Sequence, residues 1–219
     1  MLAERNSVAR MEACVIDAAP MRFVLKLLIC GLLAAGTGTA YLAFRSGDTV
    51  YTLYEWISPA RFQQHDELIR AVAAQYRVDP MLVKSVVWRE SSFDPRKYGS
   101  AGERGLMQVT ERAAGEWAQD GKVENFRVEE LFDPKVNLRA GTWYLARALG
   151  HWKNQVDPIP FALAEYNAGA SRAQRWAGGE DVGIVPATTF RNNIDFPGTR
   201  KYVDTVLARL EFYKRRGRM

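Results

Sequence analysis

Cysteine and histidine are the scarcest chemistry-bearing residues in this 219-residue chain, with two of each. Two cysteines exclude a disulfide-built scaffold, and two histidines leave little for a His-built metal site. Both cysteines, Cys14 and Cys30, fall in the N-terminal leader. The rest of the chain therefore has no disulfide, and a cysteine nucleophile is excluded there. His65 and His151 stand at no metal spacing and read as surface or packed residues. Gly 17 and Pro 9 are too few for a collagen-like or low-complexity chain. No stretch alternates apolar and polar residues over strand length, and no internal repeat is present. The net charge, +5, is modest. It suits a surface that meets an acidic polymer or anionic lipid without choosing between them. The length suits one domain of ordinary size.

What is present begins with an apolar run, FVLKLLICGLLAAGTGTAYLAF, from Phe23 to Phe44, in which Lys26 is the one charge. About 20 apolar residues cross a bilayer. Arg22 and Lys26 lie on the leading side, as a cytoplasmic flank requires. The competing reading is a cleaved export signal, with small-residue sites at Ala34-Ala35-Gly36 or Gly38-Thr39-Ala40. Met21-Arg22 would itself open such a signal. Ile29 before Cys30 makes a poor lipid-attachment site. The expected organisation is a leader over residues 1–22, a transmembrane anchor or signal over 23–44, a connector over 45–63 and a helical domain over 64–215.

Helix signals fill that last part. Gln64 to Arg77 places Leu68, Ile69, Val72 and Tyr76 on one face. Asp79-Pro80 is a cap with proline at the first helical position, opening a helix through Val86 and Val87 to about Glu90. Phe93-Asp94-Pro95 cannot continue it. A glycine-rich loop, YGSAGERG, follows. It lacks the lysine and serine of a phosphate-binding loop, and no strand precedes it. Thr110 reads as the cap of a helix through Trp117. Asp133-Pro134 opens the longest helix, to about Trp152, and Asp157-Pro158 opens another through Tyr166. Ala170 to Trp176 gives a short helix, and Pro197 to Arg215 an amphipathic one. The fold class read from these signals is mainly α.

Three segments carry more than packing. In Trp88-Arg89-Glu90-Ser91-Ser92-Phe93, the carboxyl of Glu90 follows an apolar stretch, and desolvation there would raise its pKa towards neutrality. A protonated carboxylic acid is what a glycosidic leaving oxygen needs. Glu90 reads equally as a solvated helix-end residue paired with Arg89 or Lys84. In Gly105-Leu106-Met107-Gln108, Gln108 offers donors and an acceptor to amide or sugar groups, and Met107 a pliable apolar wall. The same segment also reads as a tight turn feeding Met107 into the core. In Ala164-Glu165-Tyr166-Asn167-Ala168-Gly169, Tyr166 offers a ring and a hydroxyl, and Asn167 reads equally as a helix-end residue.

Taken in this order, the three segments resemble the motifs of the lytic transglycosylases of the soluble-lytic-transglycosylase (SLT) type, whose domain is goose-type-lysozyme-like. Leu131-Phe132-Asp133-Pro134, Asn137, Gly141, Tyr144 and Leu145 are similar to the family's central helix, and Thr199-Arg200-Lys201-Tyr202-Val203 to its closing segment. The resemblance runs from about Asp66 to Tyr213. It implies a lysozyme-like helical fold and a murein lytic transglycosylase that cleaves the bond between N-acetylmuramic acid and N-acetylglucosamine, leaving 1,6-anhydro ends. It implies Glu90 as catalytic acid and then base. It places Ser91, Gln108 and Asn167 at substrate-contact or hydrogen-bonding positions, Met107 in the groove wall, and Tyr166 and Tyr202 close to the carboxyl. No metal and no cofactor is implied. The partners implied are peptidoglycan strands and, through the N-terminal segment, a membrane, with no nucleic acid. The location implied is the extracytoplasmic face of a bacterial envelope. Gly198 departs from the pattern, because the family carries a glutamate before the Thr-Arg pair.

That chemistry fits the residue inventory. Most glycoside hydrolases use two carboxylates. Here Asp94, Glu103, Glu129 and Glu165 are available beside Glu90, and spacing singles out none of them. Substrate assistance by the N-acetyl group removes the need for a second one. A hydrolytic muramidase and a non-catalytic wall-binding module remain as competing readings. A nucleic-acid binder fits poorly, since the basic residues are scattered among acidic ones.

Overall fold

The computed structural model describes residues 19–45, 54–55, 57–179 and 183–217. Most of the leader, with Cys14, lies outside them. The chain divides between Leu42 and Ala43 into two units. The first is dominated by helix α1 (Ala19–Arg45), in which Phe23–Tyr41 is long and apolar enough to cross a membrane. Phe23, Leu25, Leu28, Leu32 and Leu33 are exposed on it, as is Cys30. The Thr37 and Thr39 hydroxyls donate to the Leu33 and Ala35 carbonyls at 2.9 and 2.6 Å, so these polar groups are satisfied within the helix.

The second unit is helical. A short α2 (Pro59–Gln63) leads into α3 (Asp66–Tyr76) and α4 (Pro80–Ser91). After a loop come α5 (Glu111–Asp120), a 3-10 turn (Val128–Phe132) and α6 (Pro134–His151). Then follow α7 (Ile159–Ala168), α8 (Ala170–Ala177), α9 (Ala187–Asn193) and α10 (Pro197–Arg216). Among the described residues, the extended pairing is limited to isolated bridges at Tyr98–Arg104 and Arg104–Val109. The cap signals act as expected. Asp79 accepts from Met81 N, Thr110 from Ala113 N, and Asp133 from Lys135 and Val136 N. Pro158 is the first-turn neighbour of α7, and Asp157 reaches Ile159 N at 3.3 Å.

Helix α4 lies between α3 and α10, while α7 packs on α6, α8 and α10. Both carry apolar residues nearly all round. Leu82, Val83, Val86, Val87 and Trp88 are buried on α4, and Phe161, Leu163 and Ala164 on α7. The core also holds charge. Lys84 pairs with Asp66 at 2.6 Å rather than with Glu90, and lies 5.2 Å from the Tyr213 ring centre. Burial lowers its pKa against the opposing pull of Asp66. Arg209 stacks 3.9 Å from the Trp88 ring centre and binds Glu55 at 2.8 Å. Buried cations of this kind need their partners, because an unpaired one costs several kcal/mol.

Candidate active site

Helix α4 ends abruptly. Ser92 and Phe93 both adopt positive φ, +52° and +62°, and the Phe93 side chain is fully buried. Two consecutive left-handed non-glycine residues are strained, and packing of Phe93 holds them in place. Glu90 is thereby fixed on the last helical turn, half-buried, with its carboxyl facing a cleft of about 340 Å³. Burial raises its pKa to about 7; the Tyr202 hydroxyl, Arg89 and Lys97 pull it down, and Glu103 pushes it further up. The Lys97 ammonium donates to the Glu90 main-chain carbonyl.

The loop that forms one wall of the cleft is clamped from below. Asn137 on α6 is fully buried and accepts from Met107 N at 2.8 Å. Its amide donates to the Arg104 and Leu131 carbonyls at 2.7 and 2.8 Å. Gly105 (φ +74°) sits against this clamp, where a Cβ would overlap the Asn137 amide and the Leu131 carbonyl. The turn swings Gln108 (φ +47°) towards the cleft, with Nε2 donating to the Lys97 and Gly105 carbonyls at 3.1 and 3.0 Å. Its Oε1 is left for another donor.

The opposite wall comes from α7 and α10. The Tyr166 hydroxyl donates to the Met107 carbonyl at 2.8 Å, and its ring meets Tyr144 edge-on. Asn167 is exposed, and its Oδ1 accepts from the Thr199 hydroxyl at 2.8 Å. Tyr202 is buried, and its hydroxyl finds no partner of good hydrogen-bond geometry among the described residues. The group it faces is the Glu90 carboxyl, whose charge, together with burial, keeps the phenol protonated. Burial likewise raises the Tyr166 pKa, again with Glu90 adding. The Glu90 cleft continues on one side into a space of about 410 Å³ lined by Gln108, Tyr144, Tyr166 and Gly169. On the other it continues, through Arg89 and Asn167, into a second space of about 410 Å³. The three spaces share Asn167 in their walls, so the Glu90 cleft adjoins further room on both the Arg89 and the Gln108 side, more than a single small ligand needs.

Two expected site residues are placed elsewhere. The Met107 side chain is 0% exposed and fills the space over Gly141, with Sδ 3.7 Å from the Thr142 hydroxyl. Its contribution to the site is the carbonyl that holds Tyr166, not a groove wall. Ser91 is 3% exposed, and its hydroxyl donates back to the Val87 carbonyl at 3.2 Å, so it faces the core and not the groove. Glu90, Gln108, Tyr166, Asn167 and Tyr202 are brought together.

Residues 67–182, more than half of the chain, match the family described as the Transglycosylase SLT domain. The chain belongs to this family. Among curated relatives, the soluble lytic murein transglycosylase of Salmonella typhimurium is 31% identical over 59% of this chain and 20% of that protein. Membrane-bound lytic murein transglycosylase C of Yersinia pestis is 33% identical over 52% of this chain and 34% of its own length. The chain thus spans about a fifth to two fifths of the length of the curated relatives it matches. Among solved structures, the 70 kDa soluble lytic transglycosylase of Escherichia coli aligns with TM-score 0.62 and 27% identity, over 69% of this chain and 24% of that one. An inactive glutamate-to-glutamine mutant of the Pseudomonas aeruginosa lytic transglycosylase Slt aligns with TM-score 0.63 and 24% identity, over 70% and 24%. The helical, lysozyme-like fold is thus shared with lytic transglycosylases.

Several features of this SLT domain escape sequence reading. Glu103 lines the cleft with Glu90, its Oε2 accepting from Ala101 N at 2.9 Å. A carboxylate in a glycine-rich loop gives no hint of this. Asn137 is recognisable by family likeness, but its clamping role needs three chain segments brought together. Glu165, inside the third motif, is buried away from the groove and held by Trp152 Nε1 and His151 Nδ1, both at 2.8 Å.

Proposed function

We propose that this protein is a murein lytic transglycosylase that cleaves the β-1,4 bond between N-acetylmuramic acid and N-acetylglucosamine, with Glu90 as acid and then base. The observation that carries the reading is the Glu90 carboxyl, half-buried in the cleft with a pKa of about 7, so that a substantial fraction of it stays protonated near neutral pH. Glu90 gives its proton to the glycosidic oxygen as the bond from the muramoyl C1 breaks. The N-acetyl carbonyl of the same sugar stabilises the cationic C1. The Glu90 carboxylate, with Tyr202 beside it, then takes the proton of the muramoyl 6-hydroxyl while that oxygen closes on C1. The 1,6-anhydro ring forms, Glu90 regains its proton, and no water is consumed. Gln108, Asn167 and Tyr166 hold the strand. The solved relative that is inactive with one glutamate changed to glutamine is consistent with an essential glutamate in this fold.

A hydrolytic muramidase is the second reading, and Glu103 in the same cleft favours it, because a second carboxylate is what activates a water. Digestion of purified peptidoglycan by the detergent-solubilised chain, followed by mass spectrometry, decides between them. Muropeptides one water lighter than hydrolysis products are expected, and free reducing muramic ends would make the enzyme a lysozyme. Glu90→Gln is expected to lower the rate on the order of 10²–10⁴ or more. Full activity of that variant would remove Glu90 from the mechanism.

The α1 segment Phe23–Tyr41 and the membrane-bound relatives support a location on the outer face of the cytoplasmic membrane, with α1 as a single anchor. The domain spanning residues 64–215 is the wall-cutting part of the chain.

A further inference from the structure

Glu103 is the second carboxyl group of the Glu90 cleft, and the reaction steps given above leave it without a task. It stands partly exposed on the glycine-rich loop, where its Oε2 accepts from Ala101 N at 2.9 Å. Among the described residues no cation pairs with it. Lys97 lines the same cleft but directs its ammonium to the Glu90 main-chain carbonyl. A carboxylate without a counter-ion, set beside a half-buried carboxyl, costs stability through like-charge repulsion. The loop nonetheless makes room for it. Gly99 lines the cleft too, and a Cβ there would overlap Glu103 Oε2 and lie 2.9 Å from Gln108 Oε1. The lack of a side chain at 99 therefore lets two acceptor oxygens, one of them charged, share one stretch of the cleft wall. Neither receives a side-chain donor among the described residues. A wall of this kind favours positive charge in whatever lies against it.

We propose that Glu103 is a second catalytic residue, whose carboxylate stabilises the positive charge that spreads over the muramoyl C1 and its acetamido group as the glycosidic bond breaks. The inference rests on the peptidoglycan reading above. In that reaction the acetamido carbonyl shares the charge of C1, so its N–H becomes a stronger donor just as the bond lengthens. Glu90 meets this moment as an acid, with its proton still leaving, and supplies little negative charge of its own. A carboxylate in the same cleft supplies it, and beside a group as desolvated as Glu90 the attraction is weakly screened. The interaction is stronger in the transition state than with the neutral sugar, which is what lowers a barrier. Glu103 takes no proton at any step. Glu90 gives one to the leaving oxygen and regains one from the 6-hydroxyl, as before.

The test is Glu103→Gln in the detergent-solubilised full chain, assayed on purified peptidoglycan across pH. The amide oxygen can still accept from Ala101 N, so the change removes the charge and little else. The pH-independent kcat is expected to fall on the order of 10²-fold, with KM within about twofold of the wild type. The alkaline limb of the profile is expected to move to lower pH, because the Glu103 charge helps Glu90 keep its proton, while Tyr202, Arg89 and Lys97 still face that carboxyl. The melting temperature is expected to stay level or to rise, whereas loss of a residue that merely supports the loop would lower it. Gly99→Ala displaces only the end of a flexible side chain. It is expected to lower kcat in the same direction and to add little on top of Glu103→Gln. Anhydro ends are expected from the wild type and from both variants. A Glu103→Gln enzyme with wild-type kcat and an unmoved limb overturns the role and leaves the transglycosylase intact, as does a fall in kcat matched by a lower melting temperature. Free reducing muramic ends from the wild type also overturn it, since Glu103 would then be drawing a proton from water. No cleavage of peptidoglycan by the wild type overturns the functional reading and the role together.

Discussion

Glu90 has its proton held by burial and its place at the helix end held by the packing of Phe93, and its titration is open to two independent measurements. In the proposed mechanism the acid form protonates the leaving oxygen, and the pKa is about 7. The rate constant for bond cleavage is therefore expected to fall as pH rises through about 7. A profile flat from pH 5 to 9 would show that Glu90 is not the acid. Stability follows the same proton. The folded pKa lies above the ordinary value of 4.5, so the native state holds the proton more tightly than the unfolded chain. The stability this gives is fully present below about pH 4.5 and is lost as pH rises through about 7. Glu90→Gln lacks that dependence. Its melting temperature is expected to gain on the wild type between those values, by a few degrees at most, and then to run parallel above about pH 8. Thermal scans of both proteins across the range check the sign.

At the scale of elements, the α6 clamp is what turns a glycine-rich loop into a groove wall. Asn137→Ala removes an acceptor from Met107 N and two bonds from buried carbonyls, and it leaves a void. A loss of about 2–4 kcal/mol in chemical unfolding is expected, with a fall in activity under conditions where the variant is still folded, because Gln108 and the Tyr166 anchor lose their support. Gly141→Ala pushes on the same loop from another side, since the new Cβ would come 2.6 Å from Met107 Sδ. The expected cost is about 1–3 kcal/mol. A variant that melts like the wild type would show the loop to be softer than its packing implies. These elements also show how far the sequence could be read. Caps at Asp79, Thr110 and Asp133 are local signals, and the helices that follow them start where the signals lie. Helix α9 and the short α2 lack a capping side chain and escaped notice. Glu90, Gln108, Tyr166, Asn167 and Tyr202 were legible as a set through family likeness, not through any one spacing. Met107 and Ser91 were misplaced because the direction a side chain takes is set by packing partners distant in sequence, Gly141 for one and the turn of α4 for the other. The same holds for Lys84, which was a candidate partner for Glu90 until Asp66 on α3 claimed it.

At the scale of the whole chain, the question is what α1 does for a groove built to hold a polymer. The segment Phe23–Tyr41 shows no buried residues, and its large apolar side chains are exposed along its length. An exposed apolar surface of that extent is unfavourable in water and favourable in a bilayer, whose hydrocarbon core about 30 Å thick is spanned by roughly 20 helical residues. Lys26 is the one charge in it and stands near the leading end, where a long basic side chain reaches the headgroups. Under the proposed anchoring, Arg22 and Lys26 mark that end as cytoplasmic and the catalytic domain is expected on the far side of the membrane. The full chain is therefore expected to sediment with membranes and to stay there after alkaline carbonate extraction. A chain beginning at residue 45 is expected to be soluble and to keep the helical circular-dichroism signal and cleavage of purified peptidoglycan. N-terminal sequencing of the membrane-derived protein completes the test. A start at or before Met21 fits an anchor, whereas a new terminus at Thr37 or Tyr41 would show that the segment is an export signal, cut away once the groove is delivered.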